Sequence, residues 1–225
     1  MTVVAIDGPS GSGKSTVAAA LARRLGIRHV DTGAYYRAAT LAVLRAGLAP
    51  DDFRVPELVA AARIERRGGR TYLDGQDVEA EIRGGPVTAA VSVVAAHPRV
   101  RRVLVARQRA EVGDGGGAVV EGRDAGTVVV PDADLKVWLT ASPRERATRR
   151  AAQVGEAAPE AVQAQAEALA RRDARDAAQM TRAPDVVVVD TTATSVAALV
   201  ATLVARLGNP APAGAGEQAT TGSKG

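Results

Sequence analysis

The residues whose spacing could do chemistry stand near the start of the chain, where positions 6–16 read IDGPSGSGKST. This stretch fits the pattern G-x-x-x-x-G-K-[ST] with Gly8, Gly13, Lys14 and Ser15. Glycines let successive backbone N–H groups curve around a phosphate, the lysine reaches the outer phosphates, and the serine hydroxyl can ligate Mg²⁺. The pattern predicts a P-loop that binds a nucleoside triphosphate, with Ser15 as the metal ligand.

Composition strengthens this interpretation of the loop. The 29 lysines and arginines include only three lysines (Lys14, Lys136 and Lys224), so a lysine falls in the one required position only improbably by chance. Lys14 is a candidate catalytic residue because its charge would act on the β- and γ-phosphates. We expect the triphosphate to contact the loop and the following helical turn, namely Gly8, Pro9, Ser10, Gly11, Ser12, Gly13, Lys14, Ser15 and Thr16.

Short apolar runs alternate with helical patterns along the chain and must position this loop. Strand candidates lie at 2–6, 28–30, 118–121, 135–140 and 186–190, and helical patterns at 14–25, 33–46, 86–96, 98–112, 143–153, 159–178 and 195–207. Ser142 and Ser195 are suitable N-caps for two of these helices. The alternation predicts an α/β fold of the P-loop NTPase type, with a five-stranded parallel sheet flanked by helices.

Two segments depart from this rhythm. Residues 62–80 carry the turn signals RRGGR and LDGQ between short stretches of mixed polarity, which predicts a small antiparallel insert. Residues 209–225 are rich in Gly, Ala, Pro, Ser and Thr and lack large apolar side chains, so we expect a disordered tail. The predicted catalytic domain is therefore 1–208.

Arginine-bearing loops follow two of the strands and indicate where a second ligand would bind. HVDTGAYYR brings Thr32, Tyr36 and Arg37 beyond the second strand, and VVEGRDAGT brings Arg123 and Asp124 beyond the third. Ligands of open parallel sheets bind at the carboxyl ends of the strands. Because guanidinium forks match phosphate geometry, these loops favour an anionic acceptor beside the P-loop.

A third arginine cluster, RERATRR, begins the helix after the fourth strand. Arg146, Arg149 and Arg150 fall on one side of that helix, which suits a lid that closes over transferring phosphates. The alternative is an ordinary solvated helix face. Since transfer between phosphates needs alignment and charge neutralisation rather than a general base, Arg123 and these three arginines join Lys14 as candidate catalytic residues.

Composition excludes several other classes of protein. The chain has no cysteine, its net charge of +4 is small and spread along the sequence, and it has few aromatic side chains (one Trp, three Tyr and one Phe) to stack on bases. No apolar run reaches membrane-spanning length. We therefore expect a cytoplasmic monomer that binds neither nucleic acid nor membrane. His29 and His97 suit packing or capping roles, and Asp7 suits a turn rather than catalysis.

The order of further motifs resembles that of bacterial cytidylate kinases. GPSGSGKST, DTGAYYR, EIRGGPVTAAVS, HPRVR, EGRDAGTVV and RRDARD occur in the sequence that is typical of type 1 (d)CMP kinases, and the resemblance covers roughly residues 1–207. It implies a five-stranded parallel sheet with a monophosphate-binding insert (about 50–97) and a helical lid (about 142–172). It also implies transfer of the γ-phosphoryl group of ATP to CMP or dCMP, with Mg²⁺.

The same resemblance implies roles for individual residues of the acceptor site. Arg37 and Arg123 would grip the acceptor phosphate, while Ser92, Arg101 and Asp124 would read the edge of cytosine. The remaining implied substrate-binding residues are Thr32, Tyr36, Arg172 and Asp176, the last two facing the sugar and phosphate.

One position departs from the family pattern RD-x-x-D-x-x-R. The final arginine is replaced by Gln179, and the segment that follows, up to Val186, is short. Arg182 lies three residues further on, where a continuing helix would bring it near the same face.

Two other functions remain open at this point. A kinase for UMP, AMP or a small hydroxylated metabolite would share the loop, although Ser92, Arg101 and Asp124 argue against it. A nucleotide-binding switch that hydrolyses ATP slowly would also need a P-loop, but it would need only one nucleotide site.

Overall fold

A five-stranded parallel sheet organises the computed structural model, which describes residues 1–113, 115–156 and 158–208. Its strands stand in the order β2-β6-β1-β7-β8. They are β1 (Val3–Asp7), β2 (Arg28–Asp31), β6 (Ala118–Gly122), β7 (Leu135–Thr140) and β8 (Val187–Asp190). In this order β6 lies between β1 and β2, so the loops that follow these three strands meet at one edge of the sheet.

Helices cover both faces of this sheet because its central strands are apolar on both sides. Val4 and Ile6 of β1 pack in a core with α1 (Lys14–Leu25) and α8 (Val196–Gly208). Ala5, between them, faces the opposite core together with Val112 of α5 (Pro98–Gly113). Side chains of β1 therefore point alternately into two helix-covered cores, and the P-loop follows directly at the end of this buried strand.

A third core joins a small antiparallel sheet to α2 (Thr32–Arg45) and α4 (Gly85–Ala96). The strands of this sheet are β3 (Ile64–Arg67), β4 (Arg70–Leu73) and β5 (Gln76–Asp77), and α3 (Val55–Ala61) precedes them. Helix α6 (Pro143–Gln153) packs against α7 (Pro159–Asp176), which continues as a short 3-10 helix over Ala177–Gln179.

The predicted fold class is confirmed. All five predicted strands and all seven predicted helices are present, with bounds shifted by at most a few residues, and the antiparallel insert lies within 62–80. Both N-caps are formed, since Ser142 Oγ accepts from Glu145 N at 3.2 Å and Ser195 Oγ accepts from Ala198 N at 3.2 Å. Helix α3, a 3-10 turn at Glu81–Arg83 and a π-helical turn at Ala125–Val129 were not predicted. The predicted tail, 209–225, lies outside the described residues.

Among the described residues, no helix combines the length and the hydrophobicity needed to cross a membrane.

Candidate active site

The loop between β1 and α1 has the backbone that its glycines predict. Gly8, Gly11 and Gly13 have φ angles of 146°, 79° and 89°, which side-chain-bearing residues rarely adopt. A Cβ atom at Gly8 would also lie 2.1 Å from the carbonyl oxygen of Leu139 on β7. Glycine at this position therefore lets the loop pass close to the neighbouring strand.

Lys14 begins α1 and is buried beneath the loop. Its Nζ donates to the carbonyl oxygen of Pro9 at 2.7 Å. Burial, reinforced by the guanidinium of Arg123, lowers the pKa of Lys14 to about 7. A bound polyphosphate would favour the charged ammonium form, so Lys14 would be more fully protonated once an anion binds.

Ser15 lies next to an acidic side chain that the sequence analysis missed. Its Oγ donates to Glu121 Oε2 at 2.7 Å, and the other carboxylate oxygen of Glu121 is 2.8 Å from His29 Nε2. Hydroxyl and carboxylate oxygens are the ligand types that Mg²⁺ prefers, and such sites take only one or two protein ligands beside phosphates and water. Ser15 and Glu121 thus fit the predicted metal.

Asp176 organises the arginine-rich half of the cleft, which includes Arg123 and Arg172. Its Oδ1 accepts from Ser92 Oγ at 2.7 Å, and its Oδ2 accepts from Arg123 Nε at 3.2 Å and lies 3.6 Å from Arg172 Nε. Arg123 also donates through Nη1 to the carbonyl oxygen of Gly8 at 3.0 Å. One buried carboxylate therefore links α4, α7 and the loop after β6, and Arg123 extends that link to the P-loop.

Arg37 projects from α2 into the same half. Its Nη1 donates to Ile82 O at 3.2 Å and to Thr88 Oγ1 at 3.0 Å. Burial, followed by the guanidinium groups of Arg172 and Arg83, lowers the pKa of Arg37 to about 10. Such crowding of like charges is relieved by a bound anion.

Arg101 and Asp124 form a partly buried ion pair in the lining of the cleft that also contains Lys14. The guanidinium carbon of Arg101 also lies 5.8 Å from the centroid of the Tyr36 ring. Burial raises the pKa of the Asp124 carboxyl group, and Arg101 opposes that rise. The pair offers a carboxylate acceptor and a guanidinium donor side by side, with an aromatic ring close to them.

Arg146, Arg149 and Arg150 of α6 make different contacts. Arg146 Nη1 donates to Ser10 O at 3.0 Å and to Asp173 Oδ2 at 2.5 Å. Arg149 donates to Thr191 Oγ1 at 3.0 Å and to Thr191 O at 2.6 Å. Arg150 donates through Nη1 to Gln153 Oε1 at 3.1 Å and lines the cleft. Arg146 and Arg149 therefore brace the P-loop from the side, whereas Arg150 faces the ligand space.

One cleft of about 580 Å³ unites the two halves. The predicted site residues in its lining are Ser10, Gly11, Gly13, Lys14, Ser15, Thr16, Thr32, Tyr36, Arg37, Ser92, Arg101, Arg123, Asp124, Arg150, Arg172 and Asp176. Those outside the lining are Gly8, Pro9, Ser12, Arg146 and Arg149, which form or touch the P-loop from behind. Thr32 uses its hydroxyl to donate to the Glu121 carbonyl oxygen at 2.7 Å.

Three charged cleft residues escaped the sequence analysis. Glu121 ends an apolar strand, and a lone acid there is the signal that could have revealed it. Arg83 and Asp31 lie 3.5 Å apart across the cleft wall, but nothing in their local sequence distinguishes them from surface charges. Neither histidine lines the cleft.

The expectation that Arg182 shares a helix face with position 179 is wrong. Helix α7 ends at Asp176 and the 3-10 turn ends at Gln179, so Arg182 follows in a segment without regular secondary structure. Its guanidinium carbon lies 4.9 Å from the centroid of the Trp138 ring, while Gln179 lines the cleft.

A P-loop that faces an arginine-rich pocket across one cleft, with a braced helical pair beside it, defines a P-loop phosphotransferase. Within that class, the chain belongs to the cytidylate kinase family, whose model matches residues 4–209.

Relatives agree with this assignment. The chain is 49% identical over 199 residues to a protein named cytidylate kinase from Mycobacterium avium (strain 104), covering 84% of this chain and 87% of the relative. It is 54% identical over 159 residues to a protein of the same name from Rhodococcus opacus (strain B4), covering 67% and 68%. A crystal structure of an uncharacterized protein from Eubacterium ventriosum ATCC 27560 aligns with a TM-score of 0.52 over 93% of this chain and 99% of its own, at 11% identity. That likeness supports the fold alone.

Proposed function

We propose that the protein transfers the γ-phosphoryl group of ATP to CMP and dCMP. The observation that carries this proposal is the Arg101–Asp124 pair, which lies in the same cleft as the P-loop lysine. Cytosine offers an amino donor beside ring acceptors, and a carboxylate beside a guanidinium is complementary to that edge. Membership of the cytidylate kinase family agrees with this choice of base.

In this mechanism the donor triphosphate lies on the P-loop, and Lys14 neutralises charge on its outer phosphates. Arg37, Arg123 and Arg172 hold the acceptor phosphate in line with the γ-phosphorus. An acceptor oxygen forms a bond to that phosphorus while the bond to the β–γ bridging oxygen breaks, giving ADP and the nucleoside diphosphate. The attacking oxygen is already ionised near neutral pH, so no residue needs to take a proton.

Mg²⁺ would be held near Ser15, whose hydroxyl hydrogen is directed at Glu121 so that an oxygen lone pair is left for a ligand. When bound, it supplies further charge neutralisation for the phosphates. Residues 50–97 would act as the monophosphate-binding insert and 142–172 as the lid, with Arg146, Arg149 and Arg150 stabilising the closed state. A cytoplasmic, monomeric enzyme that does not bind nucleic acid remains the prediction of the sequence.

A coupled ADP-release assay with CMP, dCMP, UMP and AMP as acceptors tests the proposal. We expect ADP release to depend on CMP or dCMP and to be much slower with UMP and AMP. Preference for UMP or AMP would assign the chain to another monophosphate, and release independent of any acceptor would favour a nucleotide-hydrolysing switch.

A further inference from the structure

Asp7 makes contacts that a simple turn-forming residue would not need. It ends β1, directly before the P-loop, and its side chain is buried. Its Oδ1 accepts from Ala125 N at 2.8 Å and its Oδ2 accepts from Gly126 N at 2.8 Å. Both carboxylate oxygens therefore accept hydrogen bonds from the backbone N–H groups directly after Asp124.

The loop after β6 allows this close approach because its glycines have no side chains. A Cβ atom at Gly126 would lie 3.2 Å from Ala5 Cβ and 3.4 Å from Asp7 Oδ2. A Cβ atom at Gly122 would lie 2.6 Å from Thr32 Oγ1. Contacts this tight leave little room for the loop to move relative to β1.

A second tie runs in the opposite direction between the same two segments. Arg123 Nη1 donates to the carbonyl oxygen of Gly8, the residue next to Asp7. The first residues of the P-loop and the segment that carries Arg123 and Asp124 are thus joined by three hydrogen bonds. The strands themselves are also paired here, with Asp7 opposite Gly122.

We infer that Asp7 is a positioning residue that fixes the acceptor-reading loop to the donor-binding loop, and that it thereby sets base discrimination and acceptor alignment without touching either substrate. This inference rests on the proposed function for the identity of the acceptor. Burial, opposed by the two backbone N–H groups, raises the pKa of Asp7 to about 6, and the charged groups that act on it are Asp124 and Lys14.

Asp7→Asn tests the inference, because an amide keeps one acceptor oxygen but turns N–H groups toward the second backbone N–H. We expect kcat/KM for CMP to fall about ten-fold or more, the CMP-to-UMP ratio to fall with it, and KM for ATP to stay within about two-fold. Gly126→Ala, which would disturb the same contact from the loop side, should show the same pattern. Asp134→Asn is the matched control, since Asp134 Oδ2 accepts from Val3 N at 2.7 Å on the same strand, away from the cleft.

A nuclear magnetic resonance titration of the parent protein tests the contact itself. The amide resonances of Ala125 and Gly126 should titrate together near pH 6, should keep that titration in Asp124→Asn and Lys14→Met, and should lose it in Asp7→Asn. Folded Asp7→Asn and Gly126→Ala proteins with an unchanged CMP-to-UMP ratio would overturn the inference, as would a titration of these two amides that persists in Asp7→Asn. A parent protein that phosphorylates no CMP would instead refute the proposed function, and the titration would remain interpretable.

Discussion

At the scale of single residues, burial in the cleft disfavours the charged forms of two basic side chains, and a bound anion would favour them. Lys14 is buried with its pKa lowered to about 7, and Arg37 is buried beside other guanidinium groups with its pKa lowered to about 10. Both side chains satisfy their donors on backbone carbonyl oxygens, Lys14 on Pro9 and Arg37 on Ile82. In the ligand-free protein, therefore, two basic side chains lie where bound phosphate groups would stabilise their charged forms.

Lys14→Met should abolish turnover yet stabilise the ligand-free fold below neutral pH. Because the pKa of Lys14 is lowered from 10.5 to about 7, the unfolded chain binds more protons than the folded protein between these values. Stability of the parent should thus rise with pH across this window, and below it the full cost of burying the charge remains. We expect the variant to gain about 1 kcal/mol or more in urea unfolding at pH 6.5, and less at pH 9.5.

Lys136→Met provides the control for this prediction, since Lys136 pairs with Asp185 at 2.9 Å at the surface. It should leave both turnover and the pH dependence of stability nearly unchanged. Activity of Lys14→Met above about a tenth of the parent would contradict the assignment of the P-loop lysine.

Asp124→Asn should alter base choice. In the proposed complex the carboxylate would accept from the amino group of cytosine, whereas an amide could turn an N–H group toward the carbonyl of uracil. We expect CMP efficiency to fall by roughly ten- to a thousand-fold, while UMP efficiency falls less or rises. Steady-state kinetics with both acceptors measure this. Equal losses for CMP and UMP, at unchanged thermal stability, would show that Asp124 only holds its loop through Arg101.

At the scale of elements, the helical pair α6 and α7 connects the two halves of the site. Arg146 of α6 bonds to both the P-loop and Asp173 of α7, and Asp176 at the end of α7 bonds to the acceptor side. A movement of this pair would therefore change donor and acceptor contacts together. This is the arrangement expected of a lid that assembles a reacting state.

Arg150→Ala should lower kcat about ten-fold with a smaller change in KM for CMP, because Arg150 lines the cleft and, in the proposed mechanism, would meet phosphate charge mainly in the closed state. Its melting temperature should match the parent. Arg149→Ala should lower both kcat and melting temperature, since Arg149 is bonded to Thr191 beside the P-loop. Arg144→Ala, on the exposed side of the same helix, is the control. Parent-like kinetics for both Arg149 and Arg150 variants would support a solvated helix face.

The end of α7 offers a gain-of-function test. Gln179 stands where the family pattern has arginine, and it lines the cleft. Gln179→Arg should lower KM for CMP about three-fold or more by adding a phosphate-binding guanidinium. Arg182→Ala should leave CMP kinetics within about two-fold, because its guanidinium stacks on Trp138. A severe loss in Arg182→Ala would show that this segment rearranges around the substrate.

How far the sequence predicts these elements depends on the range of the interactions involved. The P-loop is local, since its glycines, lysine and serine are all specified within eleven positions, and the strands follow from apolar runs. Helix α3 has only 7 residues, too few for a clear period. The contacts of Ser15 with Glu121 and of Asp7 with Ala125 join residues 106 and 118 positions apart, so no local pattern could reveal them.

At the scale of the whole molecule, strand order explains why distant sequence motifs form one site. Because β6 lies between β1 and β2, the P-loop, the Arg123 loop and the start of α2 converge at the carboxyl edge of the sheet. We therefore expect both substrates to bind in one cleft and to exchange a phosphoryl group directly.

Transfer of label from ATP carrying ³²P in its γ-phosphate distinguishes direct transfer from hydrolysis. With CMP present, we expect the label in the β-phosphate of CDP, at a rate equal to ADP release, and no transfer by Lys14→Met. Label released only as inorganic phosphate, at a rate indifferent to CMP, would show that no direct transfer takes place.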